Sequence, residues 1–253
     1  MTPLSVYVLT YNSEQHLDKV LAAAKRIADD LLVVDSGSKD ATLEIAARHG
    51  ARIAHRNFDN FRAQRLFANS MCLHQMVMFF DSDEIASDAL IDEVVALKMA
   101  GFSHDAYRVR RDWVVRGTVV HAVMPVGCPD YPIRIGDRHK TDFTAHSVHE
   151  TPIGYDNIGR IESAMSHHTF ETNSEVMRKL DLYTDLAAND LLDRKKRFAV
   201  LWFKQWFSPI GAFGKWYIRR GNWRDGRVGL TLALYAFTYT HRKYRKALLQ
   251  SNI

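Results

Sequence analysis

The chain has 253 residues, of which 47% are hydrophobic and 25% charged, a balance that excludes disordered and fibrous proteins. Its two cysteines, Cys72 and Cys128, are too few for a disulfide framework and lack the spacing of a zinc site. The net charge is +5, but fourteen Lys or Arg residues and one acid, Asp225, lie between Arg194 and Lys246. That segment carries +13 and the rest of the chain is acidic, so we expect an anionic surface as partner.

The first hundred residues alternate between short apolar runs and segments with helical periodicity. The predicted strands cover Leu4–Thr10, Leu31–Asp35, Arg52–His55 and Met76–Phe80, and the predicted helices cover about Leu17–Ile27, Ala41–His49, Arg62–Leu73 and Asp88–Met99. We expect Tyr11-Asn12-Ser13 to supply the N-cap of the first helix. Strands that alternate with helices across short turns predict a parallel, doubly wound α/β sheet.

After Gly101 the pattern changes to a mixed stretch. Tyr107–Val115 and Tyr131–Ile135 are predicted strands, and a turn is expected at Gly136-Asp137. From Asn173 onward the chain is predicted to be helical. No run of 18 apolar residues occurs, so we expect no membrane-spanning helix, and the first residues do not resemble a signal peptide.

The acidic turn Asp81–Glu84 follows a predicted buried strand directly. Asp81 and Asp83 are one residue apart and can both approach one divalent cation, although a solvated acidic turn would have the same sequence. The strands that end in Thr10-Tyr11-Asn12 and in Asp35 are expected to place these residues at the same edge, where open α/β sheets bind ligands. Asp35 could accept hydrogen bonds from a base imide or a ribose hydroxyl, so the edge predicts a nucleoside diphosphate site.

Neither glycine-rich phosphate loop, GxGxxG or GxxxxGK[ST], occurs in the sequence. This absence argues against a dinucleotide enzyme and against a Walker-type NTPase.

Three segments, in this order along the chain, resemble the family 2 glycosyltransferases of GT-A fold: Leu9–Asn12, Val33–Asp40 and Phe80–Glu84. Further segments narrow the resemblance to bacterial lipopolysaccharide-core glucosyltransferases that act on inner-core heptose; they are Asn57–Arg65, Pro129–Tyr131, Val148–Glu150 and the basic-aromatic tail. The family's Gly-Ala-Gln-Lys-Asn stands here as Arg62–Leu66, with Arg65 replacing the lysine as the cation that faces phosphate.

The resemblance implies an α/β GT-A fold, with a Rossmann-like nucleotide-sugar sheet, a mixed central sheet and a helical, basic-aromatic C-terminal region. On this basis the catalytic domain is predicted at residues 1–172, with a nucleotide-sugar half at 1–100 and an acceptor half at 101–172. A helical, membrane-associating region is predicted at residues 173–253.

The resemblance also implies an inverting, metal-dependent transfer of a hexose, most simply glucose, from a UDP-sugar. The implied acceptor is a lipopolysaccharide-core or other lipid-linked saccharide, met at the cytoplasmic face of the inner membrane. Such a transfer needs a base for the acceptor hydroxyl and a cation, Mg²⁺ or Mn²⁺, at the leaving diphosphate. The implied site residues are Glu150, or else Asp130, as base; Asp83, Asp81 and His168 as metal ligands; and Thr10, Tyr11, Asn12, Asp35, Gln64, Arg65, Asp81 and Ser82 at the donor.

The C-terminal tail combines tryptophans with basic clusters, which is typical of a helix that lies in the plane of an anionic membrane. Alternatively, its aromatic residues pack on the catalytic body. Nucleic acid is not expected as a partner, because no recognised binding module accompanies the charge.

Two other functions compete with sugar transfer. A Mg²⁺-dependent phosphohydrolase can also carry Asp-x-Asp after an apolar strand, although that class has it on the first strand. A non-catalytic basic membrane adaptor could keep the same fold without activity.

Overall fold

A computed structural model describes residues 1–144, 151–193 and 198–251 of the chain. The chain divides into two compact units, the first formed by Met1–Arg111 and Asp130–His167 and the second by Asp112–Pro129 and His168–Ile253. The domain boundary predicted at residue 172 is not tested by this division and stays a prediction.

Alternating strands and helices form the first hundred residues, as their apolar periodicity predicts. In chain order they are β1 (Leu4–Thr10), α1 (Glu14–Lys25), β2 (Asp30–Asp35), α2 (Thr42–Arg48), β3 (Arg52–His55), α3 (Phe61–Met71), β4 (Met76–Asp81), β5 (Glu84–Ala86) and α4 (Asp88–Ala100). The Ser87 side chain accepts a hydrogen bond from the Leu90 N–H and begins α4 as predicted. Ser13 occupies the N-cap position of α1 as expected, but its side chain makes no capping hydrogen bond.

Short strands dominate the middle of the chain. They are β6 (Ala106–Val115), β7 (Thr118–Val119), β8 (Ala122–Val123), β9 (Val126–Gly127), β10 (Ile133–Asp137), β11 (Asp142–Phe143), β12 (Pro152–Ile153) and β13 (Ile158–Thr169). The turn expected at Gly136-Asp137 is wrong, because both residues continue β10 and pair with β4. Long-range pairing has overridden the local preference of glycine and aspartate for turns.

The main sheet is mixed. Its described strands lie in the order β3-β2-β1-β4-β10-β6-β13-β5, with β7 beside β6. The pairs among β3, β2, β1 and β4 are parallel, whereas β10 pairs antiparallel with both β4 and β6. The predicted GT-A class with a mixed central sheet is confirmed, and the simpler expectation of a parallel doubly wound sheet fails beyond β4.

Strand β1 lies between two hydrophobic layers. Its residues Leu4, Val6 and Val8 pack with Leu17 and Leu21 of α1 on one face. Tyr7 points to the other face and stacks on Phe79 of β4, with ring centroids 5.4 Å apart. Because β1 is buried on both faces, its apolar run is nearly continuous, as is typical of a central parallel strand.

The second unit is mainly helical. It contains α5 (Asn173–Asp193), α6 (Phe198–Gly214) and α7 (Gly226–Gln250), with a π-helical turn (Lys215–Arg219) and a 3₁₀ turn (Asn222–Asp225) before α7. Leu201 of α6 is buried in one cluster with Ala188 of α5 and Tyr244 of α7. Within the described residues, no helix combines the length and the apolar character needed to cross a membrane.

Candidate active site

The carboxyl ends of β1, β2 and β4 bring the predicted donor and metal residues to one edge. Thr10 pairs with Asp35, and Leu9 pairs with Asp81, in the two parallel registers that flank β1. The strands therefore end within one residue of each other, and the loops that follow them share this edge. Ligands of open α/β sheets bind at such an edge.

Asp35 is buried, and both of its carboxylate oxygens are engaged. Oδ1 accepts hydrogen bonds from the hydroxyls of Thr10 at 3.0 Å and Ser38 at 2.5 Å. Oδ2 accepts from the backbone N–H groups of Gly37 at 2.8 Å and Ser38 at 2.9 Å. Burial raises the pKa of Asp35, but these bonds outweigh it and hold the pKa below its ordinary value. Asp35 thus fixes the shape of the loop after β2.

The loops after β1 and β2 are joined through Asn12. Its backbone N–H donates to the Ser38 hydroxyl, and its side-chain oxygen accepts from the Lys39 N–H, both at 2.8 Å. Asn12 has a φ of 49°, a left-handed conformation that asparagine tolerates better than most residues. It therefore braces the edge rather than capping α1. Tyr11 beside it is 63% exposed, which leaves its ring available to a ligand.

Gln64 and Arg65 reach the same edge from α3, and both are buried. The Gln64 amide donates to the Ser36 hydroxyl at 2.7 Å and to the Arg56 carbonyl at 3.1 Å. Its Oε1 is buried and finds no hydrogen-bond partner among the described residues. Arg65 donates to Asp81 Oδ1 at 2.8 Å. A buried acceptor without a partner is unusual in a folded protein and marks a place where a ligand or water fits.

Asp81, at the end of β4, lies between two arginines. Arg65 donates to its Oδ1 and Arg134 to its Oδ2, at 2.8 and 2.9 Å. Burial and the charge of Glu84 raise the pKa of Asp81, while the two guanidinium groups outweigh them and lower it. Both guanidinium groups also lie over the Phe79 ring, 5.1 and 5.3 Å from its centroid. Asp81 is thus ionised and held in place.

Ser82 and Asp83 form the half-buried turn between β4 and β5. Asp83 Oδ2 lies 3.5 Å from His167 Nε2 on β13. Burial lowers the pKa of His167, but the charges of Asp83 and Glu84 outweigh it and raise the pKa above its ordinary value. Asp83 is therefore a carboxylate of the turn that faces an imidazole.

Glu84 is fully buried and anchors the cationic side of the site. It accepts hydrogen bonds from Arg111 at 2.7 Å and from Arg134 at 2.6 and 2.8 Å. It also accepts from the Asp81 N–H at 3.1 Å. Burial raises the pKa of Glu84, yet the arginines and His167 hold it well below its ordinary value. Glu84 is therefore charged, and it connects Arg111, Arg134 and the Asp81 backbone.

Asp130 is bound to Arg111 through both side chain and backbone. Arg111 donates from Nε and Nη2 to the two carboxylate oxygens at 3.0 and 2.6 Å. The backbones of the two residues also exchange hydrogen bonds at 2.8 and 3.2 Å. A carboxylate held in this bidentate way is well positioned.

Glu150 falls outside the described residues. His168 belongs to the second unit, where its Nδ1 lies 3.5 Å from the Glu171 carboxylate, and its role as a metal ligand stays a prediction.

Sequence reasoning missed Arg111, Arg134 and His167 as members of this site. Arg111 and Arg134 stand in predicted strands, and both approach Glu84 because β10 pairs with β4 and β6. His167 approaches because β13 pairs with β5, with His167 opposite Glu84. A basic residue inside an otherwise apolar strand was the available signal, since a buried arginine needs an acidic partner.

The donor set suits a hard divalent cation. Asp83 offers a carboxylate, the type of ligand that Mg²⁺ and Mn²⁺ prefer, and His167 lies 3.5 Å from it. Asp81 is less available, because both of its oxygens already accept from arginines. The residues present therefore fit a cation at Asp83.

Residues 5–114 match the sequence model of the family described as "Glycosyl transferase family 2". An uncharacterized glycosyltransferase of Rickettsia typhi, RT0209, is 28% identical over 213 residues, which are 79% of this chain and 71% of that relative. The lipopolysaccharide core biosynthesis glycosyltransferase LpsC of Rhizobium meliloti is 26% identical over 98% of this chain and 94% of its own.

Among solved structures, S. aureus TarS 1-349 is similar in fold. The two superpose with a TM-score of 0.50 at 15% identity, over 99% of this chain and 92% of that one.

Proposed function

We propose that the chain, whose residues 5–114 match the family 2 glycosyltransferase model, transfers glucose from UDP-glucose to a saccharide acceptor with inversion at the anomeric carbon. The observation that carries the proposal is the meeting of Asp35, Asp81 and Asp83 at the carboxyl edge of β1, β2 and β4. The similarity to LpsC, a lipopolysaccharide core glycosyltransferase, supports a lipopolysaccharide-core or other lipid-linked saccharide as acceptor.

In this proposal the donor lies along the joined loops after β1 and β2. The exposed ring of Tyr11 stacks on the uracil, because an aromatic face at the rim of a pocket favours a planar base. Asp35 keeps the loop of Ser36 and Ser38 in shape, and Gln64 Oε1 accepts a hydrogen bond from the donor or its bound water. Arg65, which replaces the family's usual lysine, faces the diphosphate while it holds Asp81.

Asp83 is proposed to hold Mg²⁺ or Mn²⁺, with His167 beside it and Asp81 contacting the ribose or a metal-bound water. The cation would offset the charge that develops on the leaving diphosphate. The Asp81–Glu84 turn is kept rigid for this task by Arg134, which bonds both Asp81 and Glu84. His168 stays the proposed additional ligand.

The acceptor hydroxyl must lose a proton as its oxygen attacks the anomeric carbon and the bond to UDP breaks. We assign the base to Glu150 and retain Asp130 as the alternative. Asp130 is less suited, because both of its oxygens already accept hydrogen bonds from Arg111. In that arrangement Asp130 positions Arg111 instead.

UDP release from UDP-glucose, with Mn²⁺ and a heptose-containing lipopolysaccharide core as acceptor, tests the proposal. We expect Asp83→Ala to lower the rate about 10²–10³-fold, as loss of charge stabilisation at a leaving group does. Glu150→Gln should lower it about 10²–10⁴-fold, the range for a general base. Asp92→Ala, an exposed acid on α4, is the matched control and should behave as wild type.

A wild type that releases no UDP with any saccharide acceptor would contradict the proposal. So would rates for Asp83→Ala and Glu150→Gln that equal the rate of Asp92→Ala. If Asp130→Asn abolishes transfer while Glu150→Gln does not, the base is Asp130.

We also propose that the protein works as a peripheral protein on the cytoplasmic face of the inner membrane. The support is the aromatic, basic second unit, where lipid-linked acceptors would be met.

A further inference from the structure

A polar cavity of about 430 Å³ lies within the second unit. Its lining comes from the β8–β9 region and from the π-helical turn before α7, and consists of His121, Gly127, Cys128, Pro129, Arg219 and Arg220. None of these residues belongs to the proposed donor site, and sugar transfer as described above makes no use of them. The lining is basic and carries no carboxylate.

Arg220 is positioned by its neighbours. Its guanidinium carbon lies 5.7 Å from the centroid of the buried Trp216 ring, a distance typical of a cation–π contact. On its other side it lies so close to Gly127 that a Cβ built there would stand 2.8 Å from Arg220 Nη1. The glycine therefore leaves the room in which the guanidinium sits.

His121 is held with one ring nitrogen directed to Asp225. The Asp225 carboxylate accepts from the His121 N–H at 2.9 Å and bonds Nδ1 at 2.5 Å. The Asp225 side chain is only 3% exposed. With Nδ1 engaged in this way, Nε2 is the ring nitrogen that a ligand can reach.

Within the part of the chain that the structure describes, no carboxylate pairs with the two arginines of this cavity. Asp225 is the one acid between Arg194 and Lys246, and it is bound to His121. Within residues 1–144, 151–193 and 198–251, neither Arg219 nor Arg220 forms an ion pair with a carboxylate. Paired arginines beside an oriented histidine make a strong site for a compact anion.

We propose that this cavity binds the phosphoryl group of a phosphorylated saccharide. The two guanidinium groups match the oxygens of a phosphate, which arginine binds with two parallel N–H···O bonds. The cavity is far larger than a phosphate alone, and its polar lining suits the attached sugar better than an acyl chain. Insofar as the acceptor supplies this saccharide, the inference rests on the proposed glycosyl transfer.

Calorimetric titration of the full chain, without donor or metal, tests the inference with glucose 6-phosphate against glucose. We expect wild type to bind glucose 6-phosphate and not glucose. Arg219→Gln and Arg220→Gln should each weaken binding about tenfold, the effect of losing one charged hydrogen bond. Arg178→Gln, at an exposed position on α5, is the matched control and should bind as wild type does.

Gly127→Ala offers a second variant that leaves every charge in place. Its methyl group would enter the space of Arg220 Nη1 and displace the guanidinium, so we expect binding to weaken several-fold with an unchanged melting temperature. Absence of wild-type binding at millimolar glucose 6-phosphate would overturn the inference. Equal losses in Arg178→Gln and Arg220→Gln would overturn it as well.

A parallel titration with phosphatidylglycerol vesicles distinguishes the two sources of phosphate. If Arg219→Gln and Arg220→Gln weaken vesicle binding but leave glucose 6-phosphate binding unchanged, the ligand is a lipid headgroup and the saccharide is excluded. Because these titrations need no donor, their failure would leave glycosyl transfer standing. Asp83→Ala should still bind glucose 6-phosphate even where UDP release is lost.

Discussion

Glu84 shows how one buried charge can organise a site. It is fully buried, yet it accepts from Arg111 and Arg134 and from the Asp81 backbone. Arg134 also donates a hydrogen bond to Asp81, and Arg111 also donates to Asp130. Burying an ion of this kind costs desolvation free energy. Hydrogen bonds to every lone pair of the carboxylate offset this cost. Glu84 therefore holds in place the turn that carries Asp83.

Glu84→Gln is expected to lower the free energy of unfolding by about 3 kcal/mol, the lower end of the range for breaking a buried ion pair. Arg111 and Arg134 lose the buried carboxylate that they share but keep Asp130 and Asp81. UDP release should fall with it, because Arg134 loses the anchor that positions Asp81. Urea denaturation followed by circular dichroism measures the first effect.

Glu162→Gln is the matched control for that measurement. Glu162 pairs with Arg160 at 2.5 Å, but its side chain is 66% exposed, and exposed ion pairs contribute little. We expect it to unfold at the wild-type urea concentration. If Glu84→Gln and Glu162→Gln unfold at the same urea concentration, the network around Glu84 does not stabilise the fold.

At the scale of elements, local patterns predicted the parallel half of the sheet. Strands β1, β2 and β4 are continuous apolar runs, and their polar ends placed Asp35 and Asp81 at one edge. The cationic half of the site was not predictable in this way. Arg111 and Arg134 contact Glu84 through antiparallel pairs between strands that are distant in sequence. Nothing local in those strands specifies their partners.

Contacts between distant segments also explain two smaller errors in the structure predicted from the sequence. Gly136-Asp137 has the composition of a turn, but pairing with Val77 and Met76 keeps it extended. Asn12 stands where a helix cap is expected, but its side chain accepts from Lys39 of the next loop. In both places a contact made by a distant segment outweighed a weak local preference.

Two helical glycines of the second unit should respond oppositely to substitution by alanine, one raising and the other lowering the free energy of unfolding. A methyl group at Gly211 of α6 would meet no atom within 4 Å, whereas at Gly229 of α7 it would stand 1.7 Å from the Asn222 carbonyl oxygen. Gly211→Ala should raise the free energy of unfolding by about 1 kcal/mol, because alanine favours a helix.

Gly229→Ala should instead lower the free energy of unfolding by about 1–3 kcal/mol, the usual cost of overpacking. Melting temperatures followed by circular dichroism at 222 nm compare the two variants directly. An increase in both would show that the 3₁₀ turn yields to the methyl group, and that Gly229 is not required for its close approach to α7.

At the scale of the whole molecule, positive charge is concentrated in one of the two units. The residues of the proposed donor site lie in the first unit, whereas the +13 segment and helix α6 belong to the second. That helix contains no acidic residue, and it buries Leu201 against Ala188 and Tyr244. Its opposite face exposes large apolar side chains to solvent.

The exposed face of α6 has the composition of a membrane-binding surface. Five apolar residues on it are each more than half exposed: Trp202, Phe203, Trp206, Phe207 and Ile210. Their spacing puts them on one side of the helix, and contiguous apolar patches of this kind are rare on monomeric soluble proteins. Aromatic side chains beside a strongly basic segment favour the interface of an anionic bilayer.

We expect the full chain to float with vesicles that contain phosphatidylglycerol, and to float poorly with phosphatidylcholine alone. Exchanging Trp202 and Trp206 together for glutamate should abolish flotation, because it places two charges at the depth of the acyl boundary and reduces the positive charge. Leu182→Glu on α5, where the leucine is 53% exposed, is the control and should still float. A wild-type chain that stays at the bottom of the gradient would contradict membrane association. If the tryptophan variant floats as well as Leu182→Glu, the membrane-binding surface is not α6, and the basic charge of the second unit must serve another anionic partner.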